Sequence, residues 1–123
     1  MLKKIVRNIK QKWLYSVVGL WISFKEEKSL IALLGIFFVC VGLGIWLKLS
    51  SLEWSIVILT TGLSIIIEII NTSLEAAVDA ISFQYNIKVK KIKDIASSAT
   101  LVMMMTYVSV ILIIFIPNFM EVF

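Results

Sequence analysis

Four polar residues in the middle of the chain have a spacing that places them on one face of a helix. Glu68, Asn71, Glu75 and Asp79 follow an apolar run at intervals of three, four and four residues. Side chains three or four positions apart share a helical face, so the spacing predicts a polar stripe. Ionisable residues within a membrane span are costly and mark functional sites. Aligned carboxylate and amide oxygens suit Mg²⁺, which usually arrives with substrate phosphates.

Further charged residues are expected at the same depth of the protein. Glu26 and Glu27 precede the first apolar run, and Lys93 and Asp94 follow the second one after a short loop. Phosphoryl transfer needs a base, a metal clamp and a positive charge, and this level of the chain would supply all three. The chain has no histidine, which excludes Ser-His-Asp and Cys-His catalysis, and it carries no Walker or GxGxxG motif. The residues alone leave a kinase, an ion pathway and a proton relay open.

The elements that would position these residues are three membrane spans. The 123 residues are 60% hydrophobic with a mean hydropathy of +1.01, far more apolar than a soluble domain of this size. Apolar runs cover about 30–47, 54–70 and 95–116, each near the ~20 residues that a spanning helix needs. We therefore expect an all-α membrane protein forming a single domain over 1–123. Pro117 follows the third run, where we expect that helix to stop.

The first 28 residues are amphipathic, and the basic residues set a topology. Apolar residues recur there every three or four positions with lysines between them, which predicts a helix in the membrane interface; a helix packed on a soluble partner is the alternative. Of the 12 basic residues, Lys48 alone lies between the first and second runs. The N-terminus and the loop before Lys93 are therefore expected in the cytoplasm. The basic residues are not interleaved with a stacking platform, so we expect no nucleic-acid partner.

The block Glu68-x-x-Asn71-Thr72-x-x-Glu75-Ala76-x-Val78-Asp79, followed by Lys93-Asp94-x-x-Ser97, resembles the prokaryotic diacylglycerol kinase family, which includes the undecaprenol kinases of Gram-positive bacteria. The resemblance runs from about Tyr15 to the third span. It implies a homotrimer in the bacterial inner membrane, with active sites shared between subunits, that phosphorylates a lipid alcohol with ATP and Mg²⁺. The N-terminal part and the short tail are more similar to the Gram-positive branch, which favours undecaprenol over diacylglycerol. From a different functional class, a small channel or transporter subunit is the alternative.

The same resemblance implies a role for each matching residue. Glu68 would be the general base, Glu27 and Glu75 would hold Mg²⁺, and Asn71 would help to position them. Contacts to ATP would come from Tyr15, Gln84, Tyr85, Asn86, Lys93 and Asp94, whereas Ser97 would lie near the lipid. The chain departs from the family after Glu27, where the usual arginine is absent from Lys28–Ile31, and at Gln84 and Asn86, which replace an acid and a histidine. Ser29 is expected only as a helix cap.

Overall fold

The computed structural model describes residues 1–81 and 86–123, and this part of the chain is helical throughout. Its four helices are α1 (Leu2–Glu26), α2 (Lys28–Leu47), α3 (Ser51–Ile81) and α4 (Ile87–Val122). The last three are long and apolar enough to cross a membrane. The predicted all-α architecture with three spanning helices is therefore confirmed for the described residues.

Helix α3 is much longer than the apolar run that predicted it. It continues from residue 70 to Ile81 without a break, so the polar stripe is helical as its spacing indicated. At 1.5 Å per residue its 31 residues extend about 46 Å, whereas the hydrocarbon core of a bilayer is about 30 Å thick. Because α3 is longer than the bilayer core is thick, the second half of the polar stripe lies beyond the apolar run.

The prediction that the last helix stops at Pro117 is wrong, because α4 continues to Val122. Proline lacks an N–H group and removes one hydrogen bond from the helix. The side-chain amide of the next residue, Asn118, donates to the Ile114 carbonyl oxygen at 2.7 Å within α4 and to Glu53 Oε2 at 2.5 Å. The bond to Glu53 ties the end of α4 to the start of α3.

A close turn joins α2 to α3 at the end of the bundle near Glu53. Lys48 takes a left-handed conformation with φ 56°, and the Leu49 N–H donates to the Gly44 carbonyl oxygen at 3.1 Å. A Cβ atom on Gly44 would lie 2.6 Å from Cη2 of Trp54, so only glycine allows the indole to pack here. The turn fixes how α2 and α3 lie relative to each other along their length.

Buried hydroxyl groups join α3 to α4 in the middle of the bundle. The Thr61 hydroxyl lies 2.7 Å from the Val57 carbonyl oxygen and 3.0 Å from the Tyr107 hydroxyl. Both Thr61 and Tyr107 are buried. Such interhelical hydrogen bonds hold spanning helices together where the hydrophobic effect does not. The interface between α3 and α4 is the most extensive one in the fold.

Helix α1 is amphipathic and has no buried residue within the single chain. Trp13 and Trp21 are 71% and 63% exposed, and Lys25 Nζ lies 4.9 Å from the centre of the Trp21 ring. Large apolar side chains on the other helices are exposed as well, among them Phe38 and Ile113. A surface position for α1 and a trimeric assembly stay predictions.

Candidate active site

The end of the bundle opposite the α2–α3 turn brings two acids together through one hydroxyl. Glu27 lies between α1 and α2 in an extended backbone conformation, which lets the chain turn from one helix into the next. Ser29 Oγ is 3.1 Å from Glu27 Oε1 and 3.0 Å from Glu68 Oε2. All three side chains are half-buried. The predicted base and one predicted metal ligand are thus neighbours, linked by a serine.

A second hydroxyl, from Thr72, lies beside the same pair. Thr72 Oγ1 donates to the Glu68 carbonyl oxygen at 2.9 Å and is 3.5 Å from Glu27 Oε2. Thr72 is part of the sequence motif, but the sequence predicted no role for it. It also suggested Ser29 as a helix cap, which is wrong because α2 has no side-chain cap at its N-terminus. Neither the contact of Ser29 with Glu68 nor that of Thr72 with Glu27 follows from spacing, since each depends on how the segment from Glu27 into α2 packs against α3.

Glu75, the second acid of the stripe, pairs with the amide of Asn71. Asn71 Nδ2 donates to Glu75 Oε1 at 3.4 Å, and Asn71 Oδ1 is buried with no hydrogen-bond partner among the described residues. Leaving a buried acceptor unsatisfied costs free energy, so this oxygen is available to an incoming group. No described hydrogen bond joins Glu75 to Glu27, and the structure does not by itself bring the two predicted metal ligands into contact.

The residues at this end fit Mg²⁺ that enters with a nucleotide better than a permanent metal site. Within 1–81 and 86–123, no group of three or more Asp, Glu, Cys or His residues could hold a metal ion. Magnesium is usually bound through one or two carboxylates together with substrate phosphates and water. Two half-buried glutamates and an amide oxygen without a partner match that requirement. Glu27 and Glu75 are the residues that would hold the ion.

Lys93 and Asp94 each form an ion pair at the cytoplasmic loop predicted from the sequence. Lys93 Nζ lies 2.5 Å from Asp79 Oδ1, which joins the end of α3 to the start of α4. Asp94 is 2.5 Å from Lys90 on the same helix. Exposed ion pairs contribute only about 0–1 kcal/mol, so a phosphate group can compete with Asp79 for Lys93.

The remaining predicted site residues that the structure describes form no hydrogen bond with Glu27 or Glu68. Tyr15 is 69% exposed on α1, and Ser97 is exposed on α4. Asn86 is the N-cap of α4, with its Oδ1 accepting from the Val89 N–H at 2.8 Å. Its side-chain oxygen is therefore used within the chain. Gln84 and Tyr85 lie outside the described residues.

An apolar cavity opens beside Glu68. It has a volume of about 270 Å³ and lies between α2, α3 and α4. Glu68 and Ser29 line it, and its apolar lining includes Ala32, Leu33, Ile36, Met103, Met104 and Val108. A hydrocarbon chain fits such a lining, and its polar end would then meet a carboxylate.

The middle of α3 is poorly suited to carry an ion. Thr60 and Ser64 are buried, and their hydroxyls donate back to carbonyl oxygens of their own helix. No charged residue occurs from Trp54 to Ile67. A hydroxyl already bonded to its own helix is a poor ligand for a passing ion. The acids of the stripe all lie toward one end of α3, and no charged residue continues them through its middle, which favours chemistry at the membrane surface over transport.

Comparison with known proteins identifies the family of this chain. Residues 14–115 match the sequence profile of the family described as prokaryotic diacylglycerol kinase. A diacylglycerol kinase of Helicobacter pylori strain J99 is 39% identical over 88 residues, which cover 72% of this chain and 69% of the relative. Its counterpart in strain 26695 is 36% identical over the same shares. An undecaprenol kinase of Bacillus subtilis strain 168 is 33% identical over 75 residues, 61% of each chain.

The matched region includes Glu27, Ser29, the whole stripe on α3 and the Lys93-Asp94 pair. The resemblance noted from the motif alone is thereby confirmed across most of the chain. This chain belongs to the prokaryotic diacylglycerol kinase family.

Proposed function

We propose that this chain transfers the γ-phosphoryl group of ATP to the hydroxyl of undecaprenol, with Glu68 as the general base. Its family and relatives make it a lipid kinase, and the choice of lipid is the proposed part. One observation carries the role of Glu68: its carboxylate lines an apolar cavity. A lipid alcohol there would present its hydroxyl to the base while its chain stays among apolar side chains.

Diacylglycerol is the second candidate for the lipid. The relatives named diacylglycerol kinase have the higher identity, 39% and 36%, against 33% for the relative named undecaprenol kinase. The N-terminal part and the short tail of this chain support undecaprenol instead. Both lipids present a primary hydroxyl, so the same acids serve either one.

The proposed reaction balances with one proton transfer. Glu68 accepts the proton of the lipid hydroxyl while that oxygen bonds to the γ-phosphorus, and the bond from the γ-phosphorus to its bridging oxygen breaks. ADP leaves with the bridging oxygen, and the proton remains on Glu68 until water removes it. Mg²⁺, when bound with ATP, neutralises the phosphate charges. Glu27 and Glu75 would hold that ion, and Asn71 Oδ1, which has no described partner, would help to orient it.

The site works at the cytoplasmic side of the bacterial inner membrane, where ATP is present. The distribution of basic residues supports this orientation, and the amphipathic α1 with no buried residue supports a surface position. No described hydrogen bond joins Glu27 to Glu75. That separation supports a homotrimer in which neighbouring subunits complete each other's active sites.

A phosphorylation assay tests the function directly. The purified protein would be incubated in mixed micelles with ATP labelled at the γ-phosphate and with undecaprenol or diacylglycerol. We expect label in undecaprenyl phosphate at a kcat/KM above that for diacylglycerol. A clear preference for diacylglycerol would reverse the choice of lipid, and labelling of neither would refute the function.

Labelling of single cysteines is expected to report the proposed orientation. In a Cys40→Ala background, a cysteine at Lys90 should react with an impermeant maleimide only from the cytoplasmic side of vesicles. A cysteine at Ser50 should react only from the opposite side, because Ser50 directly precedes α3 whereas Lys90 lies in the first turn of α4. The reverse pattern would overturn the orientation and with it the cytoplasmic ATP site.

Replacing Glu75 with glutamine is expected to raise the Mg²⁺ concentration for half-maximal activity by about tenfold or more, because one anionic ligand is lost. The helix should persist, since Glu75 has a single 3.4 Å hydrogen bond, which glutamine can also accept. The Mg²⁺ dependence of the kinase rate measures the effect, with the exposed Glu26→Gln as control. A wild-type Mg²⁺ dependence would remove Glu75 from the site.

Filling the cavity is expected to impair lipid use selectively. Ala32→Phe adds a ring to the lining of the cavity, so the KM for lipid should rise about tenfold, as steric exclusion of a few methylene groups would give. The KM for ATP should stay unchanged. Ile31→Phe is the matched control, since Ile31 is the preceding residue and does not line the cavity. Equal effects of both variants would show that the lipid does not bind in this cavity.

A further inference from the structure

The carboxylate of Glu68 depends on one serine for its orientation. Among the described side chains, Ser29 is the only one that donates a hydrogen bond to this carboxylate, at 3.0 Å. Thr72 donates to the backbone carbonyl oxygen of Glu68 and forms no described hydrogen bond with its carboxylate. We propose that Ser29 positions the Glu68 carboxylate for proton abstraction by donating its hydroxyl proton to Glu68 Oε2. This inference rests on the proposed function of Glu68 as the base.

The chemistry of a hydroxyl makes Ser29 suited to this role. A serine hydroxyl has one proton to donate and accepts two further hydrogen bonds. Ser29 Oγ lies 3.0 Å from Glu68 Oε2 and 3.1 Å from Glu27 Oε1. Its one proton is donated to one carboxylate at a time, and the bond to Glu68 is the one that orients the base. The second oxygen of the Glu68 carboxylate has no described partner and remains available for the lipid hydroxyl.

The backbone on both sides of the contact makes its position well defined. Ser29 lies in the first turn of α2, directly after the extended residue Glu27, whereas Glu68 lies within the continuous α3. The far ends of the same two helices are fixed by the close packing of Trp54 against Gly44. A hydrogen bond between two helices held in this way restrains a long glutamate side chain that would otherwise sample several rotamers.

Position matters because a general base must lie within hydrogen-bond reach of its proton. Small displacements of reacting groups reduce turnover strongly while substrate binding is kept. Removal of the Ser29 hydroxyl should therefore lower kcat and leave the KM values nearly unchanged. A serine that only stabilised the junction of α1, α2 and α3 would instead alter stability and both constants together.

The test compares four variants of the full-length protein with γ-labelled ATP and lipid in mixed micelles. Ser29→Ala should lower kcat about 10-fold to 100-fold, the equivalent of one hydrogen bond to a charged group, with KM for ATP and the thermal midpoint retained. Ser29→Thr, which keeps the hydroxyl, should recover most of that loss. Ser55→Ala is the control, because the Ser55 hydroxyl bonds only the Ser51 carbonyl oxygen of its own helix.

The fourth variant combines Ser29→Ala with Glu68→Gln. If Ser29 acts through the base, its removal should cost little once the base is absent, because residues that act as a unit are not additive. Three results would each overturn the inference while leaving lipid kinase activity intact. They are a kcat in the double variant that is lowered by the product of the two single losses, a full kcat in Ser29→Ala, and a change in Ser29→Ala that is confined to the Mg²⁺ dependence. Absence of activity in the unmodified protein would instead overturn the proposed function, and this inference with it.

Discussion

Replacing Glu68 with glutamine is expected to lower turnover by about two to four orders of magnitude, the contribution of a positioned general base. Glutamine has nearly the same size and still accepts a hydrogen bond from Ser29, so the local contact at 3.0 Å can persist. Its amide cannot take up the proton that the lipid hydroxyl must lose. Nucleotide affinity should be retained, because the proposed phosphate contacts lie further along α3 and on α4.

Two measurements on Glu68→Gln separate its possible roles. The kcat for lipid phosphorylation reports the base, and equilibrium binding of ATP in the presence of Mg²⁺ reports the nucleotide site. Glu121→Gln is the control, since Glu121 is exposed near the opposite end of the protein. Turnover that survives while ATP binding collapses would make Glu68 a metal ligand and place the base elsewhere.

The residues that repeat along one helix were predictable from the sequence. Spacing alone placed Glu68, Asn71 and Glu75 on one face, and α3 keeps that face because it continues unbroken to Ile81. Hydropathy likewise predicted three spans, because lipid demands long apolar helices whatever their neighbours. Both inferences depend on local periodicity, which is a property of the chain before it packs.

Contacts between distant segments were not predictable in this way. Ser29 meets Glu68 only because α2 packs against α3, and nothing in its spacing distinguishes it from a capping serine. The same holds for Asn118, whose bond to Glu53 joins the end of α4 to the start of α3. In each case a polar side chain reaches a partner on another helix, and such a match depends on tertiary geometry.

The ion pair between Lys93 and Asp79 leads to a second large expected effect. Lys93 is the proposed phosphate contact, yet its ammonium group lies 2.5 Å from the Asp79 carboxylate. Lys93→Met is expected to weaken ATP binding about 10-fold to 100-fold, since hydrogen bonds to charged groups contribute about 1.5–3 kcal/mol. Asp79→Asn should not weaken ATP binding and should strengthen it by up to about fivefold, because the competing exposed pair contributes only about 0–1 kcal/mol.

The dissociation constant of ATP is measured with Mg²⁺ at fixed ionic strength. It distinguishes a direct contact, in which a phosphate replaces Asp79 as the partner of Lys93, from long-range attraction between ATP and any nearby lysine. Lys91→Met removes the same charge two residues away from an exposed position, so it should change ATP affinity far less than Lys93→Met. Equal losses in the two variants would reduce Lys93 to a contributor of long-range charge. If Asp79→Asn weakened binding as much as Lys93→Met, the ion pair would be holding Lys93 in its binding position, and Asp79 would be a support for the phosphate site instead of a competitor for it.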